Sequence, residues 1–557
     1  MASAAKGRPK GIRLLGVALR SRKAGSMLAF GFSSGLPFAL LIGTLTAWLG
    51  EAKINLATIG LLSWIGLASA FKFLWSPAVD RLRPPLLGRL GRRKGWIVLC
   101  QAVIIGALLG LVATDPATAI GSFALFAFLG ALASATQDIA IDAWRIDVAD
   151  EATPVELLSA VYQLGFRTAS IVGGAFALHL AVSMSWPGVY TVMAALMGGA
   201  LLIALAAPDT PAPAGTAAIE AGDVDPRTRG IALAVVGLCW AWAIVTLLGF
   251  MASVLATPPA GAKPPSTADF LKLYGPLIVG ATVLVPLAVA AVLNRLKMRR
   301  LSVEQAPRLG MKAAADHLYR ALVAPLTDLT ERLGWGVLGV IALILAYPFC
   351  YNVWASFAYP FYLDYMHYTK DEVAFASKVF GIVMSMLGIA LGGILFLRVG
   401  RFPTVLLGAA LPILGNFVYA DLAEGAPHID AALGVLRLDR LAAALGSDQR
   451  MARLLLTIAY ENISTGLAGS AFVAYVSSIV SKKFPAVQYA LLSSLTFLIG
   501  SLGRGVAGEM LDRYGYAPVF RWTAAAGLLA IFFVLLEWWR SMRVATREEP
   551  GGTGEAA

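Results

Sequence analysis

Fourteen apolar runs, each long enough to cross a bilayer as a helix, divide this chain of 557 residues. A span needs about 20 mostly apolar residues, because in hydrocarbon every backbone N–H and C=O must be bonded inside its own helix. The runs lie at about 25–50, 58–80, 95–114, 118–146, 156–180 and 187–207, then 228–256 and 269–296, then 336–363, 374–398, 402–420, 451–480, 486–510 and 517–540. They parse as six, two and six. Charged residues make up 14% of the chain and hydrophobic ones 58%, against about a quarter charged in a soluble domain. The expected fold class is therefore an all-α polytopic membrane protein. Its parts are a basic tail (1–24), a six-helix bundle (25–207), a linker carrying two extra membrane helices and a basic stretch (208–335), a second six-helix bundle (336–543) and a C-terminal tail (544–557). The basic start runs into a first span too long for a cleavable signal segment, so no signal peptide is expected.

Positive loops set the orientation. Lys6, Arg8, Lys10, Arg13, Arg20, Arg22 and Lys23 precede the first span, and Arg81, Arg83, Arg89, Arg92, Arg93 and Lys94 follow the second. Arg295, Lys297, Arg299, Arg300, Arg308 and Lys312 follow the two extra spans, and Arg540, Arg543 and Arg547 follow the last. With an even number of spans these groups share one side, which predicts both termini in the cytoplasm. The exception is the loop 421–450, which would be external yet carries Arg437, Arg440 and Arg450; its Leu/Ala-rich part suits a short surface helix. The net charge of +12 points to anionic lipid at the cytoplasmic face before nucleic acid.

The two six-span halves correspond weakly in letters. In each, a charged fourth span leads through a short turn into Leu-Leu-Ser, at Leu157–Ser159 and at Leu491–Ser493. Two such halves around a midplane site are the architecture of the major facilitator superfamily. Loop two fits it: Ser76-Pro77-Ala78-Val79-Asp80-Arg81 is followed by Gly91-Arg92-Arg93-Lys94. Asp80 with Arg81, Arg92 and Arg93 forms a candidate charge latch that pairs when the cytoplasmic side is shut. The plain alternative is an ordinary basic cytoplasmic loop.

Ionisable residues inside spans are costly and mark function or pairing. Asp138 and Asp142 are four residues apart and stack on one helix face; the plain alternative for Asp142 is an anchor at the cytoplasmic helix end. Lys72 either snorkels to the interface or joins the site. Arg167 sits near mid-span beside Tyr162 and Gln163, with Asp138 as the expected counter-charge; that pair is either structural or opened by substrate. Glu461, in Tyr460-Glu461-Asn462, has no close basic neighbour in sequence. A carboxylate held away from water can bind and release a proton near neutral pH, so Glu461 is the first candidate for proton coupling, followed by Asp138 and Asp142. The alternative is an ion pair with Arg504 or Lys378.

The first span carries Ser33 and Ser34 among glycines and Pro37, which permit close helix approach. The run 336–363 carries two prolines and polar aromatics suited to a sugar ring. Tyr347, Tyr351 and Asn352 are its lining candidates, while Tyr359, Tyr362 and Tyr365 are assigned to an interfacial belt. With Gln137, Gln163, Arg167 and Asn462 these make the candidate substrate-binding set. No phosphate loop or nucleophile elbow is present, the four histidines are scattered, and Cys100, Cys239 and Cys350 lie in apolar runs, so neither metal nor cofactor is expected.

Five blocks carry a family resemblance: GFSSGLPFALLIGTLTAW from Gly31, FKFLWSPAVD from Phe71, GRRKGW from Gly91, SATQDIAIDAWRID from Ser134 and FPAVQYALLS from Phe484. They resemble the AmpG-type muropeptide permeases of Gram-negative bacteria, within the peptide/acetyl-coenzyme A transporter family of the major facilitator superfamily. That resemblance implies import of N-acetylglucosaminyl-1,6-anhydro-N-acetylmuramyl peptides across the inner membrane, driven by protons. It further implies a role in peptidoglycan recycling and, indirectly, in β-lactamase induction. The expected partners are a small-molecule muropeptide, protons and the bilayer. Three other classes stand beside this one: a related carrier of acetyl-coenzyme A or a peptide, a membrane enzyme acting on lipid-linked wall precursors, and a passive pore. The enzyme would need a catalytic cluster at an interface, which the sequence does not display.

Overall fold

The computed structural model describes residues 20–54, 63–84, 87–210, 226–255, 265–296, 311–353, 357–440 and 448–548. Most of the basic tail, the linker 211–225, the arginines of 299–308, Trp354 and the side chain of Arg504 lie outside the described residues. Those described form helices joined by short turns, without a strand.

The first half comprises α1 (Arg22–Glu51), α2 (Ser76–Arg81), α3 (Arg92–Val112), α4 (Ile120–Val148), α5 (Val155–Ser183) and α6 (Trp186–Ala206). The interlude holds α7 (Pro226–Leu255), α8 (Asp269–Leu296), α9 (Met311–Leu322) and α10 (Ala324–Leu333). The second half comprises α11 (Gly336–Asn352), α12 (Lys370–Val399), α13 (Arg401–Ala423), the short α14 (Pro427–Val435), α15 (Gln449–Ile479), α16 (Pro485–Tyr514) and α17 (Tyr516–Glu548). The helix expected in loop 421–450 is α14, held down by buried Ile429 and Leu433.

Among the described residues ten helices are long and apolar enough to cross a membrane, or eleven if the pair α10–α11, bent by 102°, is one span. The expected total of fourteen rests on adding α15, α16 and the second run. α15 and α16, of 31 and 30 residues, reach about 45 Å at 1.5 Å per residue, beyond a core of about 30 Å. The second run departs from a single helix. Between Ser63 and Arg81 it is a series of short turns, with Phe71 (φ −109°, ψ 16°) and Trp75 (φ −110°, ψ 4°) off helical values. Pro77 in the first turn of α2 supplies the local reason, since it has no N–H to continue the preceding turn.

Glycine lets the helices meet backbone to backbone. A Cβ on Gly31 would lie 2.1 Å from the Tyr162 carbonyl oxygen, and one on Gly35 would lie 2.6 Å from that of Phe166. Gly165 is reciprocally bare against Leu28, 2.1 Å from its carbonyl oxygen. This is small-residue packing of α1 on α5. The second half repeats the device where Gly388 and Gly466 join α12 to α15. Across the two halves α5 packs on α12 and α15, and α2 on α16. The extra helix α8 also lies on α16, with Phe270 stacked on Phe250 of α7, ring centroids 4.2 Å apart.

Candidate functional site

Four ionisable side chains meet where the halves join. On α4, Asp138 and Asp142 point the same way, as their spacing requires, and Lys72 Nζ lies 3.5 Å from Asp138 and 3.8 Å from Asp142. Ser34 of α1 donates to Asp138 Oδ1 at 2.5 Å and shares a 2.8 Å hydrogen bond with the Tyr162 hydroxyl of α5. Arg145, one turn beyond Asp142, donates to its Oδ1 at 3.1 Å. The Arg145 guanidinium is fully buried between the rings of Tyr162 and Tyr489 and donates to Ser477 Oγ of α15 at 3.1 Å. Two cations and two carboxylates thus form a neutral quartet that touches α1, α4, α5, α15 and α16.

The expected Asp138–Arg167 pair is not formed: Lys72 holds the place of Arg167. The cause is the rotation of α5. Its face at Tyr162, Gly165, Phe166 and Ala169 is pressed on α1, which turns Arg167 away from α4. Lys72 does not snorkel either, and Asp142, 6% exposed, is a member of the quartet rather than an anchor at the helix end.

Ser33 and Gln137, placed among the lining residues above, are 0% exposed. Gln137 and Gln101 each donate to Ser33 Oγ, at 3.1 and 3.0 Å, and Ser33 donates to the Phe30 carbonyl. These polar groups seal the α1–α3–α4 seam. Tyr347 is likewise turned into the second bundle, stacked on Phe472 and donating to the Val405 carbonyl at 3.2 Å. The glycine at 408 makes its room, since a Cβ there would lie 2.2 Å from the Tyr347 hydroxyl. Tyr351 and Asn352 are half-buried. Asn462 donates to its own helix at Ile458. Gln163 faces α15, its Nε2 3.9 Å from the position of a Cβ on Gly469.

Glu461 occupies a second, separate polar centre. It accepts a 2.5 Å hydrogen bond from Tyr419 of α13, whose hydroxyl lies 2.5 Å from that of Tyr362. No cation pairs with Glu461 among the described residues. Lys378 instead lies over the Tyr359 ring, 5.5 Å from its centroid. Tyr362, assigned above to the interfacial belt, is 4% exposed and belongs to this chain of hydroxyls; Tyr359 and Tyr365, at 43% and 46%, remain on the surface.

Loop two forms its charge cluster. Arg93, fully buried, donates to Asp80 Oδ1 at 2.6 Å and to Asp147 Oδ2 at 3.0 Å. Arg92 donates to the backbone carbonyl of Asp80. Arg81 points elsewhere and donates to the carbonyl of Arg320 at the end of α9. Nearby, Lys482 bonds the Ala149 carbonyl across the two halves, and Gln488 at the start of α16 ties Pro325 and Asp328 of α10. The basic-loop end is therefore sealed. Removing Arg93 leaves two buried carboxylates without a partner, a loss of about 3–5 kcal/mol for a broken buried pair. Arg93→Gln should therefore unfold in detergent well below the wild-type midpoint, with Asp80→Asn affected less because Asp147 remains to pair Arg93.

Sequence reasoning had left out Arg145, Tyr419, Ser477 and Tyr489. Only Arg145 carried a signal, its i,i+3 position after Asp142.

Comparison with known proteins agrees with this architecture. The proton:xylose symporter XylE of the major facilitator superfamily, solved with 6-bromo-6-deoxy-D-glucose, superimposes with a TM-score of 0.52 at 13% identity, covering 94% of this chain and 95% of that one. The chain therefore has the major facilitator fold. Its relatives narrow this further. The anhydromuropeptide permease of Escherichia coli K12 is 27% identical over 515 residues, covering 92% of this chain and 78% of that protein. The putative transporter AmpG 4 of Rickettsia conorii is 24% identical over 509 residues, covering 91% and 94%. A family model described as Acetyl-coenzyme A transporter 1 matches residues 27–119. The chain is thus similar, along nearly its whole length, to an anhydromuropeptide permease and a putative AmpG transporter, which together with the fold supports a secondary transporter rather than an enzyme.

Proposed function

We propose that this protein imports anhydro-muropeptides from the periplasm to the cytoplasm across the bacterial inner membrane, coupled to protons, for peptidoglycan recycling. The observation that carries the reading is the similarity, over 92% of the chain, to the anhydromuropeptide permease. The halves 25–207 and 336–543 rock about the site between them. Glu461 takes and releases the coupling proton, and the quartet of Lys72, Asp138, Asp142 and Arg145 holds the halves together on the cytoplasmic side. Asp80 and Arg93 form the latch beneath it. Gln163, Arg167, Tyr351, Asn352 and Asn462 face the substrate, while Ser34, placed in that set by the sequence, is 1% exposed and belongs to the quartet's hydrogen bonds. The sealed basic-loop end supports an outward-open arrangement, with both termini cytoplasmic.

The family model over residues 27–119 favours acetyl-coenzyme A as the second reading. Uptake of labelled anhydro-muropeptide into proteoliposomes, with and without a proton gradient and with acetyl-coenzyme A as competitor, tests both. Accumulation only with the gradient and without competition is expected; accumulation of acetyl-coenzyme A instead would replace the first reading. Orientation has its own check. Reporter fusions after Lys94 and Arg300 should read cytoplasm, and one near Ala426 should read periplasm. A periplasmic signal after Lys94 would invert the topology.

A further inference from the structure

A membrane-embedded cation normally has a counter-charge, and among the described residues Lys72, Arg145 and Arg93 have one. Lys72 and Arg145 share the quartet, and Arg93 lies between Asp80 and Asp147. Arg167 is different. It is the thirteenth residue of α5, about 18 Å along that helix at 1.5 Å per residue. Among the described residues no carboxylate approaches it, and its Nε is buried without a hydrogen-bond partner.

Its direction follows from the contacts of α5. Ala160 lies 2.9 Å from the position of a Cβ on Gly393 of α12, and Gln163 Nε2 lies 3.9 Å from that on Gly469 of α15. Residues 160, 163 and 167 follow the i, i+3, i+7 pattern of one helix face. Arg167 therefore extends the stripe that meets the second half, one turn beyond Gln163 and further from the sealed end. On α15, which runs the opposite way, the stripe through Gly469 continues to Thr465 and Asn462, with Glu461 beside them. The guanidinium, without a carboxylate among the described residues, thus lies on the face of α5 that meets the second half.

We infer that Arg167 is the anion anchor of the transport cavity and binds a carboxylate of the muropeptide's peptide, so that the substrate itself completes the missing ion pair. A guanidinium fork matches a carboxylate with two parallel N–H donors. This rests on the muropeptide reading above.

The test compares proton-driven uptake of labelled anhydro-muropeptide with that of the same compound with its peptide carboxylates converted to carboxamides. A charge-assisted bond sets the scale at about ten- to hundredfold. Wild type should show a KM lower by that factor for the free acid. Arg167→Gln should abolish the preference, bringing the KM values for acid and amide together, and Arg167→Lys should retain part of it. Wild type taking acid and amide with equal KM, or Arg167→Gln keeping the preference, overturns the inference and leaves the muropeptide reading standing. If Arg167→Gln does not reach the membrane, the wild-type ratio and Arg167→Lys still decide. Wild type taking neither form overturns the muropeptide reading and this one with it. Acetyl-coenzyme A competing with uptake in wild type but not in Arg167→Gln assigns the guanidinium to a phosphate and removes the carboxylate claim.

Discussion

Glu461→Gln should abolish gradient-driven accumulation while leaving substrate binding, and exchange across the membrane, largely intact. Glu461 lies well inside α15, is only partly exposed, and accepts a hydrogen bond from Tyr419. With no cation pairing it among the described residues, its charge is compensated only by hydroxyls, so a proton is its natural partner. Protonation neutralises the centre and lets the loaded carrier reorient; release to the cytoplasm resets it. Glutamine mimics the protonated state and holds the carrier in exchange. The Tyr362–Tyr419 pair adds a graded version of the test. Tyr419→Phe removes the donor to Glu461 and should shift the pH dependence of uptake while keeping accumulation. Undiminished accumulation by Glu461→Gln would pass the coupling role to Asp138 or Asp142.

The second large effect concerns the quartet. Asp138→Asn leaves three charges where four balanced, and Lys72→Met leaves the opposite imbalance. Removing one partner of a buried pair costs about 3–5 kcal/mol, so both single variants should be poorly stable and transport little. Combining Lys72→Met with Asp138→Asn restores neutrality and should recover folding beyond the sum of the single effects, by a coupling of about 0.5–3 kcal/mol. Thermal unfolding in detergent reads this directly. The control is Asp138→Asn with Arg167→Gln, which the structure keeps apart and which should be additive. Strong rescue in the control and additivity in the first pair would reinstate Arg167 as the partner of Asp138. Arg145 gives the same network a reach across the two halves, through Ser477 and Tyr489.

Much of this protein was legible in its letters because the bilayer enforces a strong rule: backbone polar groups must be satisfied within each span. The apolar runs therefore mark the helices, and the loop arginines suggest their orientation. The four-residue spacing of Asp138 and Asp142 places both on one face of α4 whatever surrounds them, and the isolation of Glu461 already set it apart. Even the close contact of α1 with α5 was signalled by Gly31 and Gly35. What the sequence by itself did not determine was how each helix is rotated about its axis and which face meets which neighbour. That rotation gave Asp138 to Lys72 instead of Arg167, since Gly31 and Gly35 draw the Tyr162 face of α5 onto α1 and leave Arg167 toward the other half. It turned Ser33, Gln137 and Tyr347 into sealed packing and brought Tyr362 and Tyr419 to Glu461. Partners that lie 66 residues apart, as Lys72 and Asp138 do, or 332 apart, as Arg145 and Ser477 do, leave no local trace. Local periodicity records which residues share a helix face, and only the packing of the two halves decides what that face touches.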